Sequence, residues 1–203
     1  NVKNALKPDG VFVIEVQYVL DTLKDLTFDN IYHEHVSYFS VISLKDFFSR
    51  QDMSVFKVQH VDTHGGSIRV FIQKAGGTRP EDASVKEFIE NEKVAGLDRF
   101  ETYQAFGQKI KNIKENLRNF VQKAKQEGKS IVGYGAPAKA TTALNFYGIT
   151  GEDIDYIVED NPLKHDKIVP GVRIPIKSKE MATQTPPDYM MILAWNFADE
   201  IVK

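Results

Sequence analysis

Val11 to Val16 is an apolar run interrupted only by Glu15, the pattern of a strand buried on both faces, as in a parallel sheet. Ahead of it, Asn1 to Leu6 has helical spacing, and Leu6-Lys-Pro-Asp-Gly10 supplies the residues that end a helix in a turn. Leu44 to Arg50 puts Leu44, Phe47 and Phe48 on one helical face. Val55 to Val61 and Ile68 to Gln73 are rich in strand formers, and Gly65-Gly66 between them predicts a hairpin. From Pro80 to Gly128 the strand signals stop. Phe106, Ile110, Ile113, Leu117, Phe120 and Val121 recur at three- and four-residue spacing, which predicts one or two long helices whose polar residues form a solvated face. A βα rhythm follows: strands at 129–134, 155–158, 172–176 and 189–193, a helix from Pro137 to Tyr147, and another starting at Asn196. The expected division is 1–79, a helical connecting segment 80–128, and a small parallel α/β domain 129–203.

Composition narrows the class. Of 203 residues, 42% are hydrophobic and 27% charged, as in ordinary globular domains. A formal charge of −2 gives no electrostatic case for nucleic acid or an anionic membrane as partner. No cysteine is present, which excludes disulfides and thiolate metal sites within these residues. No apolar run is long enough to span a membrane and no signal peptide is visible, so the cytoplasm is the default location. Asn at residue 1, a helix already under way there, and a helix cut short at Lys203 read as a fragment of a longer protein.

Three clusters carry candidate chemistry. Ile31-Tyr-His-Glu-His-Val-Ser-Tyr-Phe-Ser40 gathers two histidines, a glutamate and two tyrosines. A metal site there lacks a third ligand nearby in sequence, since His60, His64 and His165 are scattered. Proton transfer and simple packing of imidazoles among aromatic rings both remain open. In a straight strand Glu34 and His35 would point to opposite faces, so one site needs this segment to turn.

The second cluster is Gly133-Tyr-Gly-Ala-Pro-Ala-Lys139, between a strand and a helix. In that setting Gly133, Gly135 and Ala136 let an anion approach a helix N-terminus, and Lys139 adds positive charge. Asp160, twenty-five positions after Gly135, ends the next strand, where a carboxylate can take ribose hydroxyls. Asn161 and Lys164 are further polar candidates. About half a Rossmann fold follows Gly133, which suits one nucleotide better than a dinucleotide. A plain strand-to-helix turn without a ligand is the alternative. The third cluster, His64-Gly-Gly-Ser67, is first of all a turn, and its glycines would also admit a ligand close to the backbone.

Taken in order, these segments resemble the S-adenosylmethionine-dependent nucleotide-sugar C-methyltransferases. Leu6 to Glu15 is similar to the late helix, turn and strand of a class I methyltransferase, and the hairpin to that fold's last two antiparallel strands. Tyr32-His-Glu-His35, Tyr38-Phe-Ser40, His64-Gly-Gly-Ser67, Gly133 to Lys139, Asp160-Asn-Pro162, Pro170-Gly171 and Ile174-Pro-Ile176 complete the likeness over nearly the whole chain.

The resemblance implies the end of a class I methyltransferase sheet, a helical linker, and a small Rossmann-like parallel α/β domain. It also implies a preceding cysteine-rich zinc domain and a glycine-rich S-adenosylmethionine loop that these residues do not contain, so the cofactor site would lie largely outside this chain. The implied reaction is methylation next to the ketone of a thymidine-diphosphate 4-keto deoxysugar, through an enolate. His35 would be the base, Glu34 would orient it or hold sugar hydroxyls, and Tyr32 would donate to the enolate oxygen or position the sugar, with the three roles interchangeable. Gly133, Gly135, Ala136 and Lys139 would face the pyrophosphate, with Asp160, Asn161 and His64 nearby. Two other classes compete: a nicotinamide-dependent oxidoreductase built on Gly133 to Ala138, and a non-catalytic nucleotide-sugar binding module. The sugar, the methylated carbon, the stereochemistry, the nucleotide base and the oligomeric state are not legible in the sequence.

Overall fold

In the computed structural model, residues 2–62 and 65–203 are described. They form two units, Asn1–Thr27 with Ser37–Gln108, and Phe28–Val36 with Lys109–Lys203. His64, one of the candidate residues, lies outside the described residues.

The first unit starts with a short helical turn α1 (Val2–Ala5), strand β1 (Phe12–Gln17) and helix α2 (Val19–Asp25). Leu26, in the left-handed region at φ +57°, ends α2. Ser40 then starts α3 (Val41–Ser49) with a capping box, its side chain accepting from the Ser43 amide. Strands β2 (Met53–Val61) and β3 (Ser67–Lys74) form the expected hairpin. The sheet order is β1-β3-β2, antiparallel throughout. This sets one expectation right: β1 pairs antiparallel with β3, and its apolar run is only half buried, with Val13 45% exposed. The central strand is β3, where Ile68, Val70 and Ile72 are fully enclosed. Each contributes roughly 1.5–3 kcal/mol of apolar burial.

The 80–128 segment becomes α4 (Ala83–Val94), capped by Asp82, and α5 (Phe100–Gln126), with Gly128 at φ +71° just beyond. One polar residue departs from the solvated-face reading. Glu92 of α4 is fully buried, and its carboxylate accepts the N–H groups of Val41 at 2.5 Å and Ile42 at 2.9 Å. It neutralises orphan donors at the N-terminus of α3.

In the second unit a parallel sheet contains β4 (Ile131–Tyr134), followed by α6 (Ala138–Tyr147), β5 (Ile157–Val158), β6 (Ile176–Lys177), α7 (Lys179–Gln184), β7 (Tyr189–Ile192) and α8 (Ala198–Ile201). The order is β6-β5-β4-β7, so the winding reverses beside β4, where sheets of this kind bind ligands. Val121 and Ala124 of α5 join Leu144, Ile149, Ile154 and Ile157 in its core. The strand expected over 172–176 shrinks to Ile176–Lys177, because Gly171 at φ +82° and Arg173 at φ +56° break the extended backbone. Val172 and Ile174 are buried all the same, and their apolar pattern reflects packing without strand pairing.

Candidate active site

The segment between Phe28 and Val36 has a buried root and an open tip. Phe28, Asp29 and Asn30 are buried on a single 3₁₀ turn, whereas Val36 is 86% exposed. Phe28 packs against Phe146 and Tyr147 of α6, with ring centroids 4.9 and 5.4 Å away. At the tip the chain does turn. The His35 amide donates to the Tyr32 carbonyl at 2.9 Å, closing a turn over Tyr32-His-Glu-His35.

That turn brings Tyr32, Glu34 and His35 together. The Tyr32 hydroxyl donates to Glu34 Oε2 at 3.3 Å, and the Tyr32 and His35 rings meet edge to face at 5.0 Å. His33 is the outer member, 84% exposed, with Nε2 3.9 Å from Glu34 Oε1. Partial burial, and then the neighbouring Glu34 carboxylate, push the Tyr32 phenol above its ordinary pKa, so it stays protonated and able to donate. An acceptor, an imidazole and a protonated phenol thus meet on one turn.

The root is held by Asp29 and Trp195, which the sequence did not single out, and by Lys139, which it did. Trp195, in the turn after β7, donates its indole N–H to Asp29 Oδ2 at 2.6 Å. Burial raises the Asp29 carboxyl above its ordinary pKa, while the Trp195 bond and the Lys139 charge oppose that rise. The Lys139 ammonium lies 3.5 Å from the centre of the Trp195 ring and donates to Asn196 Oδ1 at 2.8 Å. Burial lowers the Lys139 pKa, and Asp29 partly restores it.

The glycine-rich turn lies at the switch point and borders a crevice of about 440 Å³. Its lining includes Tyr134, Ala136, Glu159, Asp160 and Lys164, with Glu200 and, beside Gly135, Ala194. The amides expected to cradle a pyrophosphate are already engaged. Gly133 N–H donates to the Tyr156 carbonyl at 2.9 Å, Gly135 N–H to the Val158 carbonyl at 2.7 Å, and Ala136 N–H to Glu159 Oε2 at 2.8 Å. Burial works against the charge of Glu159, but the Asn161 and Ala136 amides and the Lys164 ammonium outweigh it and hold its pKa below the usual range. The anion at this helix start is therefore Glu159, supplied by the protein itself.

The glycines have packing reasons too. A Cβ on Gly133 would come within 2.8 Å of Ile157, and one on Gly135, at φ +82°, within 2.7 Å of Ala194 Cβ. Lys139 does not line the crevice, and Asn161 spends its side chain capping the Leu163 amide at 3.0 Å. Asp160 does line it and accepts from the Tyr134 hydroxyl at 3.0 Å. With Glu159, Asp160 and Glu200 against Lys164, the lining favours hydroxyl groups over phosphates.

In the first unit Gly66 has a local explanation as well. At φ +105° a side chain there would collide with the Asp21 carboxylate, which meets His60 Nε2 at 2.7 Å. Among the described residues no group of three or more His, Asp or Glu side chains could hold a metal ion. Nor is any described helix long and apolar enough to cross a membrane.

S-adenosylmethionine, which the resemblance implies, can be tested against the large hollow of the first unit, about 880 Å³. Phe12, Ile14, Val16, Phe39, Leu44 and Phe48 are among its walls, and no carboxylate lines it to take ribose hydroxyls. The residues present do not fit the cofactor.

Comparison with known proteins agrees with this fold. The sequence model described as "C-methyltransferase C-terminal domain" matches residues 62–203. The chain is also 39% identical, over 201 residues, to the C-methyltransferase NovU of Streptomyces niveus. That match covers 99% of this chain and 48% of NovU, so the chain spans about half the length of this curated relative. Tyr32 to His35 lie outside the family match and, with nearly all of the chain covered, inside the stretch shared with NovU. The parallel sheet, its switch-point crevice and the matched residues together make this chain a member of the C-methyltransferase C-terminal domain family.

Proposed function

We propose that this chain is the C-terminal portion of an S-adenosylmethionine-dependent C-methyltransferase that acts on the carbon next to the ketone of a nucleotide-linked 4-keto deoxysugar, thymidine diphosphate being the nucleotide part. The observation that carries the reading is the Tyr32–His35 turn, which sets a phenol, a carboxylate and an imidazole around one point. His35 takes the proton from the carbon, and the electron pair of the broken C–H bond moves to the carbonyl oxygen as an enolate. The Tyr32 hydroxyl donates to that oxygen where negative charge develops. The hydroxyl has one proton, so in the substrate complex it turns from Glu34 to that oxygen, and Glu34 then accepts from the sugar or the imidazolium. S-adenosylmethionine would supply the methyl group. This chain contributes the proton transfer and the hold on the substrate, and alone it is inactive. A cytoplasmic location suits such a biosynthetic enzyme.

The crevice at the glycine-rich turn takes a hydroxylated part of the nucleotide sugar on Asp160 and Glu200, with Glu159 in the position a phosphate would need. The same occupied amide speaks against a nicotinamide dinucleotide.

The test is His35→Asn in the full-length enzyme, which should lower kcat by roughly 10²–10⁴-fold. Wild-type turnover in that variant would remove the assignment. Calorimetric titration of this chain with thymidine diphosphate, and with NADH in parallel, examines the binding half. The first alone should bind, and through its thymidine rather than its phosphates, so that free thymidine displaces it; binding of NADH would overturn the reading.

A further inference from the structure

The geometry points to Trp195 as the positioning residue of the Tyr32–His35 turn, holding it through the hydrogen bond from its indole N–H to Asp29. This rests on the proposed role of that turn in proton transfer.

Asp29 is three residues before Tyr32 and is only 5% exposed. A buried carboxylate must be bonded, and its side-chain partner is the indole at 2.6 Å. The bond joins the 3₁₀ turn at the root to the turn after β7, whose residues Ala194 and Phe197 line the crevice. Lys139 covers the other side, with its ammonium over the indole face and its hydrogen bond to the adjacent Asn196. Beyond the root, the described tip makes only short-range backbone bonds, Ile31 to Phe28, Tyr32 to Asn30 and His35 to Tyr32. The tip therefore takes its direction from Phe28 and Asp29. Phe28 fixes it by ring packing, which resists displacement but tolerates rotation. The Asp29–Trp195 bond is directional and sets the angle at which Tyr32, Glu34 and His35 are presented.

Trp195→Phe keeps the ring face for Lys139 and removes the donor. Amide hydrogen exchange of this chain should then speed up by ~10-fold or more at Ile31, Tyr32 and His35, while the amides of β4 and β7 keep wild-type protection. Because loss of the only tryptophan could weaken folding, an Asp29 pair supplies the same test. Asp29→Asn keeps an acceptor oxygen and should preserve the protection. Asp29→Ala should lose it as Trp195→Phe does. Unchanged exchange at 31–35 in Trp195→Phe, or equal loss in both Asp29 variants, would overturn the anchor.

In the full-length enzyme, Trp195→Phe should lower kcat by ~10-fold or more with KM for the nucleotide sugar within ~3-fold. A loss of folded enzyme would lower apparent kcat with KM unchanged, so kcat is taken per folded active site, counted by circular dichroism. Faster exchange with unchanged kcat would leave the anchor standing and overturn the catalytic role given to the turn, and Trp195 would then position nothing the reaction uses.

Discussion

Glu92 carries a definite pH signature. Burial raises its pKa above the ordinary glutamate value, with the Ile42 and Val41 amides and the Tyr18 hydroxyl pulling the other way without reversing it. A carboxyl raised in the folded state binds its proton more tightly there than in the unfolded chain. Its contribution to stability is full below the ordinary glutamate range and is lost as pH rises through the elevated value. Glu92→Gln removes one acceptor from two amides and should cost about 1–3 kcal/mol. Because glutamine does not titrate, the wild-type advantage over Glu92→Gln should be larger at about pH 5 than at about pH 7.5, as read from urea midpoints. A constant or shrinking advantage would contradict the burial argument. Nothing in the sequence marks Glu92, since it is one of several charged residues on a helix with a polar face, and its partners lie some fifty positions away. Tyr32, Glu34 and His35 could be read because they are neighbours in sequence and of unusual type. Asp29 and Trp195 could not, because 166 positions separate them and each alone looks like ordinary packing or solvation.

Among the elements, the β4–α6 turn best separates pattern from cause. Strand, glycines and helix were all legible from Gly133 to Lys139, and the turn lies where they place it. What occupies its N-terminal amide was not, because Glu159 is twenty-three positions on and one residue short of the expected Asp160. The glycines then have a consequence of their own. Gly135→Ala places a Cβ at φ +82° and 2.7 Å from Ala194 Cβ, so it should destabilise the second unit by about 1–3 kcal/mol with or without ligand. Tryptophan fluorescence during denaturant unfolding reads that unit through Trp195, and a variant weakened only in nucleotide binding would show that the glycine serves the ligand instead. Strand β1 shows the reverse case. Its apolar run gave the element correctly and its pairing direction wrongly, because hydrophobic identity records burial potential and not direction.

At the scale of the whole molecule, membership of the C-methyltransferase C-terminal domain family rests on 142 matched positions, 62–203. The chain brings a turn proposed to move a proton and a carboxylate-lined crevice, while its large apolar hollow is unsuited to S-adenosylmethionine. The central claim is therefore about a proton and can be tested without any methyl group moving. The measurement is exchange of the hydrogen next to the ketone of a thymidine-diphosphate 4-keto deoxysugar in deuterated water, followed by NMR on the full-length enzyme without methyl donor. The account predicts enzyme-dependent exchange that His35→Asn slows by roughly 100-fold while the nucleotide sugar still binds. Equal exchange in wild type and His35→Asn would contradict it and move the base to another residue.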